Sequence, residues 1–221
     1  MTSIGYEQIV AHYERCLQIH GDGARAVDWK DDRSASIRYD VMLGVLRGAE
    51  VSASVLDFGC GLAGFRDHME AKGLAGLRYR GLEISGSFAD SARRRRPDLE
   101  IITRDVLLDG MAGLETDYIV MNGIFTRRES MSVEAMTDYL HRLVETVFPA
   151  VRVGLVFNVM SHAVDWQSEE LFHPDPTALI GWLGRHISRH FTLKNDYGLH
   201  ETTVYVYREP SAIAAPWRSG T

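Results

Sequence analysis

Residues 55–65 read VLDFGCGLAGF, and the way this stretch divides decides the fold. Val55, Leu56 and Phe58 favour an extended strand. Gly59 and Gly61 supply a tight turn, and GFRDHMEAK from Gly64 onward reads as a helix. A strand passing through a glycine-rich turn into a helix aims backbone N–H groups at a helix N-terminus, where the chain can approach a ligand closely. GCGLAG (59–64) also fits the pattern G-x-G-x-x-G letter for letter. That fit alone names no ligand, because more than one class of nucleoside-binding fold uses such a turn.

Outward from this turn, apolar strand-like runs alternate with helical segments, as expected for a parallel sheet covered on both faces. The runs are ASVLDF (53–58), YRGLEI (79–84), EIITRD (100–105), TDYIVM (116–121) and RVGLVFNV (152–159). Between the last two, Val133, Met136, Leu140, Leu143, Val144 and Val147 recur at helical steps and predict an amphipathic crossover helix over 132–148. Two further helices are predicted at 4–18 and 34–48, joined by the turn-rich HGDGARAVDWKDD. After the loop MSHAVDWQSEELFHPDP comes a helix with Leu179, Ile180, Leu183 and Ile187 on one face. FTLKN, DYGLH and ETTVYVYR then predict strand, turn and alternating strand, an antiparallel hairpin closing the sheet. The expected architecture is α/β, a Rossmann-like three-layer sandwich in one domain: a helical N-terminal part (1–48), a core (49–208) and a frayed tail (209–221).

Composition bounds the ligand. The 221 residues are 45% hydrophobic, enough for one core without metals or disulfides. The formal net charge of −6 argues against a surface that neutralises a phosphate backbone, so no nucleic-acid partner is expected. The two cysteines, Cys16 and Cys60, lie far apart, and with no signal-like segment at the N-terminus a reducing cytoplasm is the expected setting. VRVGLVFNVM is about half the length of a membrane helix, so no membrane partner is expected either. The run RRRR (93–96) ends a predicted helix, where cations complement the dipole; without interleaved aromatics it reads as a solvated face.

Asp57, two positions before Gly59, separates the ligands that suit the turn. A dinucleotide would bring its pyrophosphate there, and each unit of like charge about 4 Å from a carboxylate costs about 4 kcal/mol at an effective dielectric near 20. S-adenosylmethionine (SAM) would bring an ammonium and a sulfonium, which the same carboxylate attracts. Glu83, at the end of the next run, is placed to accept both hydroxyls of a ribose. Asp105 could accept from an adenine amino group, with the N–H of Val106 offered to the ring. Asn122 and Gly123, in MNGIF, could turn carbonyls toward the sulfonium methyl.

In this order of features the chain resembles the class I SAM-dependent methyltransferases. The resemblance rests on VLDFGCG, GLEIS, RDV, DYIVMNG, GLVFNV and the terminal hairpin, and spans residues 34 to 208 or so. Ala63 stands where that family often has glycine. The resemblance implies a seven-stranded sheet of order 3-2-1-4-5-7-6 with an antiparallel last strand. It implies that Asp57, Phe58, Gly59, Cys60 and Gly61 face the methionine end of SAM. Glu83 with Ile84 would hold the ribose, Asp105 and Val106 the adenine, and Asn122 and Gly123 would line the methyl path. It also implies that the N-terminal helices form a lid, here carrying Tyr13, Trp29 and Arg38.

The activity so implied is methyl transfer to an O or N atom of a small metabolite such as a sugar or secondary metabolite. A hydroxyl or ammonium acceptor needs a base, and among nine histidines His162 is the candidate, ahead of His173 and His200. Trp29, Trp166, Phe172 and His173 are expected to form the acceptor pocket; no metal is expected. A second copy of the chain is the one macromolecular partner this reading admits. Two alternatives stand beside it: an NAD(P)-binding oxidoreductase, and a methyltransferase-like subunit that binds without catalysing.

Overall fold

A computed structural model describes residues 5–48 and 52–211. Residues 212–221 of the predicted tail, residue 4 of the predicted first helix and residues 49–51 of the predicted core lie outside the described residues. Seven strands form one sheet: β1 Ser54–Phe58, β2 Arg78–Glu83, β3 Ile101–Thr103, β4 Thr116–Phe125, β5 Val151–Met160, β6 Phe191–Lys194 and β7 Glu201–Tyr207. Their order is β3-β2-β1-β4-β5-β7-β6, and β7 runs antiparallel to both its neighbours. This is the Rossmann-like three-layer arrangement expected.

Alternate residues of the central strands feed opposite cores. Leu56, Ile119, Met121, Leu155 and Phe157 pack on one face with α6 (Val133–Val147) and α7 (Pro176–Trp182). Val55, Tyr118, Val120 and Val156 pack on the other with α2 (Asp32–Leu43) and α3 (Gly64–Ala71). Burial on both faces is why these strands read as continuous apolar runs. It also corrects the reading of β7: all seven residues are buried, because Val204 and Val206 enter one core while Tyr205 and Tyr207 enter the other.

Ser132 caps α6, accepting from the Ala135 N–H at 3.1 Å, and Met136, Leu140, Leu143, Val144 and Val147 are buried as predicted. Val133 is 44% exposed; it sits in the first turn, ahead of the buried stripe. In the later helix Ile180 also faces solvent, because one residue's rotation from Leu179 carries it off the face, and Trp182 is buried instead. That helix ends in a π-helical turn over Leu183–Ile187. The N-terminal helices, expected to form a lid, are α1 (Glu7–His20) and α2, joined through a 3-10 turn at Ala24–Val27. No helix among the described residues is long and apolar enough to cross a membrane.

The run at 93–96 closes α4 (Gly86–Arg95) and forms a solvated face as predicted, with Arg93, Arg94 and Arg95 exposed, while its guanidinium groups also reach back to the fold. Arg93 donates to the Ile101 carbonyl, Arg95 to the Leu62 carbonyl at 2.9 Å, and Arg96 pairs with Asp67, Glu70 and Asp98.

Candidate cofactor and acceptor site

β1 has β2 on one side and β4 on the other, so the chain's crossovers depart in opposite directions from its carboxyl end, the place where open α/β sheets bind ligands. A cavity of ≈ 350 Å³ opens there, roofed by the lid helices. Its floor is the turn after β1. The Gly59 and Cys60 N–H groups both donate to the Leu82 carbonyl, at 2.7 and 3.0 Å. Gly59 has φ +73°, and a Cβ there would collide with the Ile124 Cδ1. We expect Gly59→Ala to cost about 1–2 kcal/mol of stability from the left-handed backbone alone, read by thermal melting, and to weaken ligand binding by obstructing the turn. Ala63 is also left-handed, at φ 60°, which gives the physical reason glycine suits that position.

Asp57 is 3% exposed and accepts from the Tyr79 hydroxyl at 2.7 Å. Burial, reinforced by the charge of Glu83 and opposed by the Tyr79 hydrogen bond, pushes its carboxyl up to about 7. Glu83 is equally enclosed. Its Oε2 accepts from the Gly61 N–H and its Oε1 from the Ser85 N–H, both at 2.9 Å. Burial raises its pKa against the pull of these N–H groups. Each oxygen keeps a further lone pair for a ligand hydroxyl. The cavity wall carries Asp32, Asp57, Glu83 and Asp105 against Arg95 and Arg104, and Arg95 is already paired with Asp67. The field suits a cation.

Asp105 caps α5 (Val106–Asp109), accepting from the Leu107 N–H at 3.0 Å, while its other oxygen accepts from the Tyr6 hydroxyl of the chain entering α1. The lid is thus latched at the end where the adenine was expected. Phe58, Cys60, Gly61, Ile84 and Val106 also line the cavity, as do Tyr13 and Trp29.

β4 runs four residues beyond its predicted end at Met121, and its pairing with β5 is irregular between Met121 and Phe125. Such a bulge re-aims side chains. It turns Asn122 to the cavity with both side-chain amide atoms buried and lacking a hydrogen-bond partner. The Gly123 carbonyl accepts from Thr126 Oγ1 at 3.0 Å and Tyr13 Oη at 3.5 Å. The Gly123 N–H donates to Asn158 Oδ1 at 2.7 Å, Asn158 Nδ2 donates to Glu201 at 2.6 Å, and Glu201 accepts from Arg38 Nε at 2.7 Å. Arg38, expected at the cofactor, therefore stands behind the cavity wall, stacked 5.2 Å from the ring centre of Trp29.

The expected acceptor residues are not brought together. His162 is exposed beyond β5, and among the described residues no histidine lines the cavity. The Ser161 N–H bonds to the His200 carbonyl at 2.9 Å, so the chain leaves β5 along β7 and away from the cavity. Trp166 is 46% exposed and meets His173 and His200 edge-on. His173 bonds the Ser161 carbonyl through Nδ1 at 2.7 Å. Phe172 is wholly buried in the core. The wall instead uses Tyr6, Tyr39 and Tyr139. Only Tyr39 left a signal in the sequence, at helical spacing from the small residues Ala35 and Ser36 on the same helix face.

No family model matches the chain. It is 29% identical over 156 residues, 69% of its length and 92% of the other's, to "Putative methyltransferase Rv1506c" of Mycobacterium tuberculosis (strain ATCC 25618 / H37Rv). Among solved structures it is similar to magnesium protoporphyrin IX methyltransferase from Synechocystis PCC 6803 with bound SAH, with TM-score 0.65 at 13% identity, covering 92% of this chain and all of the other. It is also similar to DhpI in complex with SAH, with TM-score 0.61 at 18% identity, covering 95% of this chain and all of the other. The chain therefore has the fold of these SAH-bound methyltransferases and is similar in sequence to a putative methyltransferase.

Proposed function

We propose that the protein transfers a methyl group from SAM to an O or N atom of a small molecule, in a reducing cytoplasm. The observation that carries this is the pair of buried acids, Asp57 and Glu83, flanking the Gly59–Gly61 turn in a cavity whose charge is negative. A dinucleotide pyrophosphate would meet these carboxylates at a like-charge cost, which disfavours the oxidoreductase alternative.

When bound, SAM supplies a methyl group already made electrophilic by the adjacent sulfonium. The chain's own task is then alignment and exclusion of water. The turn and Asp57 hold the methionine end, Glu83 the ribose, and Val106 the adenine ring. Asn122 offers an unpartnered donor and acceptor at the methyl path. Tyr13, Trp29 and Tyr39, on the lid side, give the acceptor an aromatic enclosure. Burial keeps the Tyr13 and Tyr39 hydroxyls protonated at neutral pH, so they orient an acceptor by hydrogen bonding.

Calorimetry with SAM, SAH and NADH tests the reading. We expect SAM and SAH to bind with one site and NADH to give no heat; NADH binding with silent SAM would reverse the assignment. Loss of a tritiated methyl group from SAM to members of a small-molecule acceptor panel then separates an enzyme from a binding subunit.

A further inference from the structure

Behind the lid, away from the acids of the cavity, lies a second cluster with metal-ligand chemistry. His12 and Cys16 stand one turn apart on α1, so their side chains share a face. Asp28 follows the 3-10 turn in a left-handed conformation, φ 57°. The His12 Nε2 lies 3.1 Å from Asp28 Oδ2 and 3.5 Å from Cys16 Sγ, and one donor atom from each of the three residues falls within 4.8 Å of the others. Ligands bound tetrahedrally at the usual zinc–nitrogen, zinc–oxygen and zinc–sulfur distances stand about 3.3–3.8 Å apart. The three donors are close to that spacing already.

Two independent features point the same way. The far nitrogen of the ring, His12 Nδ1, faces Glu129 Oε1 at 3.4 Å, the carboxylate that orients a metal-bound imidazole and fixes its tautomer. Charge is also short of balance. Arg127 meets Asp28, Glu129 and Glu170 at 2.8, 2.6 and 2.9 Å, one guanidinium against three carboxylates. A divalent ion bound by the Cys16 thiolate and Asp28 would be neutralised by those two ligands, leaving Arg127 to Glu129 and Glu170. Moreover, Asp28 and Glu129 are two of the three non-glycine residues with positive φ among the described residues. Strained backbone of this kind persists where the surroundings fix it, often at functional sites.

We propose that His12, Cys16 and Asp28 bind one divalent cation of zinc-like character, with solvent completing the coordination and Glu129 buttressing His12. Asp28 stands between Val27 and Trp29, both in the cavity wall, and Tyr13 follows His12. The ion clips α1 to the segment that carries Trp29, and so rigidifies the lid over the acceptor.

The test uses the full-length, tag-free chain, stripped with a chelator, and Co²⁺ as a spectroscopic probe. One equivalent is expected to give tetrahedral d–d absorption and a thiolate-to-cobalt charge-transfer band, both displaced by Zn²⁺. Added Zn²⁺ raises Tm with its concentration. Cys16→Ser removes the charge-transfer band, Asp28→Asn weakens Co²⁺ binding at least tenfold, and Cys60→Ser leaves both readouts unchanged. Absence of the band at stoichiometric Co²⁺ in the wild-type chain overturns the site, as does its survival in Cys16→Ser. Neither result depends on SAM, so failure here leaves the proposed activity to its own calorimetry.

Discussion

Glu201→Ala is expected to remove about 3–5 kcal/mol of stability, a large share of the margin that keeps a domain folded. Glu201 is 2% exposed and Asn158 wholly buried. The carboxylate is the shared acceptor for Arg38 and for the Asn158 amide, and Arg38 Nη1 already lacks a partner. Alanine leaves a largely buried guanidinium and a buried amide with nothing to accept from them. Urea unfolding followed by far-UV circular dichroism reads the loss as a lower midpoint at unchanged slope. Glu201→Gln is the informative companion. Its oxygen still accepts from Arg38, but its amide then faces that of Asn158. If Asn158 flips to relieve this, the Gly123 N–H loses its acceptor, at a cost of about 1–3 kcal/mol. A stability within about 0.5 kcal/mol of wild type for Glu201→Ala would show that the chain from Arg38 to Gly123 does not hold the bulge in place.

This chain of hydrogen bonds also marks where reading from sequence stops. The turn, Asp57 and Glu83 were legible because strand ends and turn residues act locally: once β1 stops at Phe58 and β2 at Glu83, parallel pairing of Asp57 with Gly81 brings both acids to the same edge of the sheet. Val106 followed from the same order of elements, and Tyr13 from the lid that the resemblance implies. His162, Trp166, Phe172 and His173 did not reach the cavity, because the direction in which the chain leaves β5 is fixed by a contact with residue 200, made only when β7 pairs with β5. Arg38 was read as facing ligand through the lid that the resemblance implies, and nothing local on α2 hints at a buried glutamate 163 positions away. Tyr6 and Tyr139 were missed for a similar reason. Their rings stack 5.2 Å apart between the start of α1 and α6, and no local pattern announces a contact across that distance in the chain.

Asp57→Asn should move stability and binding in opposite directions. With its carboxyl raised from 3.8 to about 7 by burial, the folded state prefers the neutral acid. The stabilisation this gives is complete below the unfolded pKa, declines as pH rises from about 4 to about 7, and is absent above. Asparagine keeps an acceptor for the Tyr79 hydroxyl and carries no charge to desolvate. The variant's advantage over wild type should therefore grow across that window, to about 4 kcal/mol at pH 8. Binding runs the other way, because a cationic ligand needs the ionised form. At pH 8 the variant should bind SAM at least tenfold more weakly, a loss of about 1.4 kcal/mol or more. In the wild type the ionised fraction rises about tenfold between pH 6 and pH 8 for a pKa near 7, and SAM affinity should rise with it. The variant, measured over the same range, removes the ligand's own titration from the comparison. Parallel pH profiles for the two proteins would refute the charge argument. A stabilised variant with steepened loss of affinity at high pH would establish that the protein gives up stability at Asp57 to hold a cation there.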